Sequence, residues 1–506
     1  MRISFILLLL FFCFNAYTQI TQPLRYEIEI EDFYDPYFIV SAEENGIFIF
    51  KEMSLKSTGK EKVWQIIQLD TSLVEVNMQE VIIDSKFSFR GYDYQNGKFV
   101  MLFQEGEEYA EDLLFITFSV DQLVFKTYLY ENLVPINLTE FEMKNDAVIF
   151  GGNANTRAVL MMYNFSAERG VVLPGFYNDR SSLLQIVTKS DDNLVRIITS
   201  ERRYDRSYGI TIRAYTTQGE LIFTEDINAK DDISLTNGRV VDSSNGSDLL
   251  AGTYSTKKRR ETSRGLFIAD LSDPEQENIE YYNYANLENF FNYMKEKRKM
   301  RVKKRIARKK IKGKKLKFSY RLYVQDIIKQ RNQNILIGEA YYPTYSSGSY
   351  GFSPYNNFSD PFMSRGNTQV FDGYKYTHAV LMAFDNNGNL LWDNSFEIND
   401  LKSFQLEKHV HVAFSEEQMV MLYLYDQQIK VKVIKGQEII EGKFTEDLRL
   451  MYESDEMKAN SEDLEGLEKW YGNNFYAYGV NRVKNLRDSD IQLNRKVFFI
   501  NKIVVK

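Results

Sequence analysis

The chain has 506 residues, 44% of them hydrophobic and 14% aromatic, with 8 prolines and a single cysteine. That length can bury a large core, the aromatic content suits pleated, half-buried surfaces, and one cysteine excludes a disulfide framework or a cysteine-ligated metal. The formal net charge is only −7, but its distribution along the chain is very uneven.

The N-terminus reads as an export signal. Arg2 supplies a positive start, and the apolar stretch over 6–14 is too short to span a bilayer. Ala16-Tyr17-Thr18 then places small residues where a signal peptidase reads. Residues 1–18 are expected to be removed, leaving a mature chain 19–506 that begins at Gln19 and has no thiol. Phe12 stands before Cys13, where a lipoprotein signal needs a small residue, so a lipid anchor is not expected. No later stretch has the length and apolarity of a transmembrane helix. The expected location is outside the cytoplasm: periplasmic, outer-membrane-associated or extracellular.

Residues 25–32 (RYEIEIED) alternate apolar and charged, with Tyr26, Ile28 and Ile30 on one face of a predicted strand. Beyond them a turn residue followed by a strand-forming run recurs at Gly46, Gly97, Asp146, Asn193, Asp248, Asn334, Gln418 and Asn474. The steps are 47–56 residues, except for two of 86 and 84. A repeat of about 40–50 residues with several strands per unit marks a β-propeller, and it overrides the two or three domains that length alone suggests. Third-to-fourth-strand hairpins are predicted over 64–81, 114–130, 158–176, 210–227, 266–284 and 428–444.

The first long step contains an insertion over 288–317. Within it, 295–317 carries fifteen Lys or Arg and one Glu, a charge of +14, so the rest of the chain carries −21. Met300, Val302, Ile306 and Ile311 form a partial helical stripe, and Gly313 ends it. The segment is expected to be a helical excursion without an apolar face wide enough to build core, and to be dispensable for folding. Its candidate binding residues are Lys303, Lys304, Arg305, Arg308, Lys309 and Lys310. They would suit an acidic protein partner, or an anionic surface such as lipid headgroups or lipopolysaccharide. Nucleic acid is not an expected partner, because no aromatic platform interleaves the basic run.

The sixth repeat is the clearest. Strands are predicted over 320–330, 334–342, 378–385 and 389–398, with Asn386-Asn387-Gly388 as the tight turn. Between its second and third strands lies a Tyr/Gly/Ser-rich loop, 341–376. Tyr341, Tyr342, Tyr345, Tyr350, Phe352 and Tyr355 are the candidate contacts there, since tyrosine among Ser, Gly and Asn is the composition of adaptable recognition loops. Such rings also stack on sugars. Residues 383–398, AFDNNGNLLWDNSFEI, resemble the outer hairpin of a quinoprotein-type propeller blade, with an aspartate-led turn and a tryptophan. The resemblance implies a fold and no activity.

His409 and His411 lie two apart on one strand and so share a face. With Glu407 or Glu416 they are the candidate metal ligands, but a strand pair is more often structural and no metal is expected. No HExxH, calcium loop, phosphate loop or nucleophile elbow is present. No catalytic residue and no cofactor are assigned.

The eighth unit has a second strand from Asn474 and a third over 496–505, where the chain stops. The strand over 25–32 can supply the missing fourth, which would close the ring and leave no edge. The expected fold is therefore an all-β, eight-bladed β-propeller of four-stranded blades closed by an N-terminal strand, with a basic helical insertion between blades five and six. Seven blades is the alternative, should 447–473 supply no first strand. The expected function is a noncatalytic envelope or secreted scaffold that binds another macromolecule through its insertions. The alternative is a carbohydrate-binding or carbohydrate-active propeller enzyme.

Overall fold

A computed structural model describes residues 19–30, 37–106, 109–176, 178–188, 193–230, 232–240, 249–257, 261–271, 279–347, 369–415, 418–458, 465–487 and 491–506. Residues 1–18, expected to be an export signal, lie outside them. The described chain is mostly antiparallel sheet, in which strands pair with their neighbours in sequence. Tyr37–Ser41, Ile47–Glu52, Glu61–Leu69 and Glu75–Asp84 make the first four-stranded meander. A seven-stranded sheet follows, because Lys126–Lys144 is one long strand shared by two meanders. Its first half pairs with Ala110–Ser119 and its second half with Ala147–Ala154. Further four-stranded meanders occupy 181–227, 233–283, 321–397 and 411–447.

The second strand of each unit is apolar on both faces because it is packed on both sides. Ile47, Phe48, Ile49 and Phe50 have no exposed surface. Phe48 and Phe50 meet Phe99 and Phe103 of the next unit, whereas Ile47 and Ile49 meet Phe498 and Ile500 of the last. The same pairing continues along the chain, for example Phe115 with Phe150 and Ile149 with Ile197. Ile212 then meets Leu250, Ala251 meets Leu336, Ile337 meets Met421, and Leu422 meets Phe475. The succession of sheets thus returns to its start, which is the propeller arrangement.

Return is made by the N-terminal strand. Ile20–Glu29 pairs antiparallel with Asn494–Val505, with Tyr26 opposite Ile500 and Ile28 opposite Phe498. The strand lies a little earlier than the predicted 25–32, and 31–36 fall outside the described residues. Pro23 sits at an irregularity between Thr21 and Leu24, where a residue without an N–H is tolerated. Tyr26 and Ile28 pack inward with Leu24 as the alternation predicts. The charged face is buried too, contrary to a simple inside-out pattern. The Arg25 side chain is 2% exposed, bonds to Glu27 at 2.6 Å, and lies 4.3 Å over the Phe499 ring. Arg495 reaches Asp455 at 2.8 Å and Glu27 at 3.5 Å. The weakly marked stretch 447–473 does supply strands: Glu465–Lys469 and Asp455–Met457 both pair with Asn474–Asn485.

Local turn chemistry holds where it was readable. Asp385 accepts from the N–H groups of Asn387 and Asn389 at 2.9 Å each, and Gly388 takes φ +81. At Gly46 φ is +102, and a Cβ would lie 1.9 Å from the Leu69 carbonyl oxygen, so only glycine fits.

Candidate interaction face

The basic insertion folds as helix α1, Glu296–Ile311, between the strands Ile279–Asn283 and Arg321–Gln330. Glu296 opens the first turn and pairs with Lys299, while Arg308, Lys309 and Lys310 fill the last, the order that the helix dipole favours. Gly313, at φ +59, ends the helix, and the Lys314 N–H returns to the Lys309 carbonyl at 2.9 Å.

The helix is not a free excursion. Ile306 is 8% exposed and joins a core cluster with Tyr284, Phe290, Phe291, Leu322 and Ala340, and Met294, Val302, Leu316 and Phe318 pack against it. The expectation that 295–317 lacks a core-building face is therefore wrong. One narrow stripe, Val302 and Ile306 at i and i+4, suffices because apolar residues on both flanks of the helix complete it.

Docking turns the cations outward. Arg301, Lys304, Arg305, Arg308, Lys309, Lys312 and Lys314 wall one open concavity that has no anion in its lining. Of the predicted contacts, Lys304, Arg305, Arg308 and Lys309 belong to it. Lys303 and Lys310 are exposed on the helix but outside the lining, and Arg301, Lys312 and Lys314 were not singled out. Their positions one turn before and after the predicted set were the missed signal.

The second insertion begins and ends as strand, which narrows the expected loop 341–376. Gln333–Ser347 and Gln369–Phe384 continue their pairing past the sheet as a two-stranded ribbon, with Tyr341 opposite Tyr376 and Tyr345 opposite Phe371. Rings line it in sequence: Tyr341 on Tyr374 at 5.3 Å, Tyr374 on Phe371 at 5.0 Å, Phe371 on Tyr345 at 6.0 Å. Tyr342 and Tyr345 are 44% and 55% exposed, whereas Tyr341 is half-buried. Tyr350, Phe352 and Tyr355 lie outside the described residues.

The two insertions meet at His378. Its ring has no exposed surface and stacks on Tyr293 at 3.6 Å, with Phe290 and Tyr320 edge-on at 5.2 and 5.8 Å. Thr377 Oγ1 lies 2.9 Å from its Nδ1. Burial pushes the imidazole down to about 3, so it is neutral across the physiological range. The chain leaving α1 enters its strand at Arg321, opposite Tyr341 where the ribbon departs, so both insertions emerge at the same end of that sheet.

Inward from them, residues of separate sheets sense one another. The Tyr323 phenol feels Arg239, Glu140, Glu339 and Glu407, groups contributed by four stretches of chain. Fully buried Glu339 accepts through Oε1 from the N–H groups of His409 and Val410 at 3.0 and 2.6 Å. Burial pushes its carboxyl up to about 7. Glu468 is also pushed up to about 7 by its protein surroundings, although its side chain is nearly half exposed.

His409 and His411 do not build a metal site with these acids. Glu407 lies 3.9 Å from His409 and Glu468 lies 3.9 Å from His411, so each imidazole faces a different carboxylate and the four groups do not converge. Burial pushes both imidazoles down, and His409 packs edge-on against Tyr376 at 4.5 Å. Among the described residues, no group of three or more His, Cys, Asp or Glu is arranged to hold a metal ion. Glu416 lies outside them. Nothing in the sequence flags Glu339 except a carboxylate inside the apolar run NILIGEA, and that was the available signal.

Among the described residues no helix is long and apolar enough to cross a membrane. No protein-family model matches the chain, and no curated protein matches it. Similar solved structures include the polysaccharide lyase Uly1, at 10% identity and TM-score 0.39 over 82% of this chain and 90% of that one. The β-propeller domain of the Trilobed protease from Pyrococcus furiosus aligns at 8% identity and TM-score 0.36, over 82% and 93%. A prolyl endopeptidase aligns at 8% and 0.36, and the chain spans about half of its length. The quinoprotein likeness read at 383–398 is not shown by these similarities. The chain resembles β-propeller proteins at the level of fold.

Proposed function

We propose that the protein is an exported eight-bladed β-propeller acting as a noncatalytic interaction scaffold, which holds an acidic macromolecule on the face carrying its two insertions. The blade count takes the seven-stranded sheet as two blades sharing Lys126–Lys144, and is supported by the core clusters that join each unit to the next and the last to the first. Cleavage before Gln19 would place the scaffold in the envelope or outside the cell.

The observation that carries the binding role is the concavity of α1, seven cations without an anion, fixed in place by Ile306. Crowded cations repel one another, and an acidic partner relieves that repulsion. The test is affinity purification of the tagged mature protein from envelope fractions, beside a Lys304→Glu, Arg305→Glu, Arg308→Glu variant. A stoichiometric partner that the variant and about 300 mM salt both release supports the proposal. A partner retained by the variant refutes it.

A second reading, a carbohydrate-active propeller, takes Glu468, whose carboxyl burial pushes up, as its candidate acid. Polysaccharide turnover lost in Glu468→Gln would support it.

A further inference from the structure

Helix α1 and its C-cap present Arg301, the adjacent Lys304 and Arg305, then Arg308 and Lys312, so one edge of the concavity carries a cation at every turn. At about 5.4 Å per turn and 1.5 Å per residue the row extends over roughly 16 Å. A row with that stride suits a linear polyanion bearing one charge per monomer, better than it suits a single phosphate or a compact acidic patch.

The neighbouring surfaces narrow the class. The apolar stripe of α1, Val302 and Ile306, is turned into the propeller core, so the helix cannot lie in a bilayer by its apolar face. From the same end of the sheet that receives the chain after α1 rises the aromatic ribbon, with Tyr342, Tyr345 and Phe371 each more than a third exposed. Open rings next to a regular row of cations match a polymer that offers both anionic groups and flat, weakly polar faces. Pyranose rings bearing carboxylates or sulfates have both, at about one charge per ring.

We infer that the insertion face binds an acidic polysaccharide, with α1 taking the anionic groups of successive sugars and the ribbon taking sugar faces. This inference rests on the noncatalytic binding role proposed above and specifies its ligand. The ligand is recognised by charge spacing, which supplies most of the affinity, and by ring stacking, which distinguishes sugar from peptide.

The experiment is titration calorimetry on the full mature chain with polygalacturonate, dextran, polyglutamate and phosphatidylglycerol vesicles. The comparison proteins are Lys304→Glu/Arg308→Glu and Tyr345→Ala, all exposed positions, with melting curves to check that each variant folds. Polygalacturonate should bind, dextran should not, and affinity should fall by roughly tenfold or more between 50 and 300 mM salt. The double charge reversal should lose binding. Tyr345→Ala should weaken polygalacturonate by roughly threefold to tenfold and leave polyglutamate unchanged. Polyglutamate bound as tightly as polygalacturonate, with Tyr345→Ala silent, overturns the polysaccharide and leaves an acidic-protein scaffold standing. Binding to vesicles alone overturns it in favour of a membrane surface. If no probe binds and no envelope partner is captured, both the ligand and the scaffold role fall.

Discussion

Replacing His378 with Phe should remove a defined part of the protein's acid sensitivity. In an unfolded chain an imidazole takes a proton near 6.5, whereas burial among Tyr293, Phe290 and Tyr320 holds His378 at about 3. No carboxylate is among the causes of that shift, so desolvation acts alone. Between those two values the unfolded chain binds more protons than the fold, so stability falls as pH falls. The slope is about 1.4 kcal/mol per pH unit, or about 2 kcal/mol between pH 6.5 and pH 5. Phenylalanine keeps the stack on Tyr293 and cannot titrate. The variant will differ from the parent by a constant set by the lost Thr377 contact, plus a term that favours the variant increasingly as pH drops. The whole-protein profile is not diagnostic, because Glu339 and Glu468 oppose this slope. Each is held up to about 7 in the fold, so each loses stability as pH rises from 4.5 to 7. The difference between parent and variant isolates the histidine. Urea unfolding of both proteins at pH 7.5, 6.5, 5.5 and 5.0 supplies it, and a difference flat within error across that range would refute the burial argument.

Arg495→Ala should cost about 3–5 kcal/mol in urea unfolding, because it leaves buried Asp455 without its cation, while Glu27 keeps Arg25. Ile306→Ala should cost about 2–5 kcal/mol, and replacing 295–317 by a Gly/Ser linker should lower the melting temperature by several degrees, even in high salt. Glu339→Gln keeps an acceptor for the N–H groups of His409 and Val410 but cannot ionise. Its stability relative to the parent should rise by about 3 kcal/mol between pH 4.5 and pH 8, read from the same unfolding series. N-terminal sequencing of the exported protein should find Gln19 first, and an acylated Cys13 would show that the leader was misread.

The hairpins were legible because turn chemistry is local. Asn386-Asn387-Gly388 between two apolar runs has few other conformations, and Asp385 locks it. Strand Lys126–Lys144 was harder to place, since two sheets share it and Asn132 and Pro135 at the handover read as loop residues. The ribbon was read as loop because Tyr, Ser, Thr and Gly signal both recognition loops and edge strands, and Pro343 argued against a strand interior. The face as a site was not legible. Tyr293 and His378 are 85 residues apart in number, and only the return of the chain through the sixth unit stacks them. Arg25 misled differently, since alternation with charge normally means a solvated face, and here that face is covered by Asn501 and the Arg449 backbone.

The pairing of Ile20–Glu29 with Asn494–Val505 orders events in time. Ile20–Glu29 finds its place only after Asn494–Val505 has emerged, hundreds of positions later. Until then the earlier meanders can form while the final sheet has an open edge, a state prone to pairing with other chains. Contacts so distant in sequence close slowly. The Lys506 N–H bonds to the Gln19 carbonyl at 3.0 Å, so both ends of the described chain are built into the same seam. A bulky fusion at either end would crowd the seam while it closes, whereas a tag inserted at an exposed turn between outer strands would leave the timing untouched.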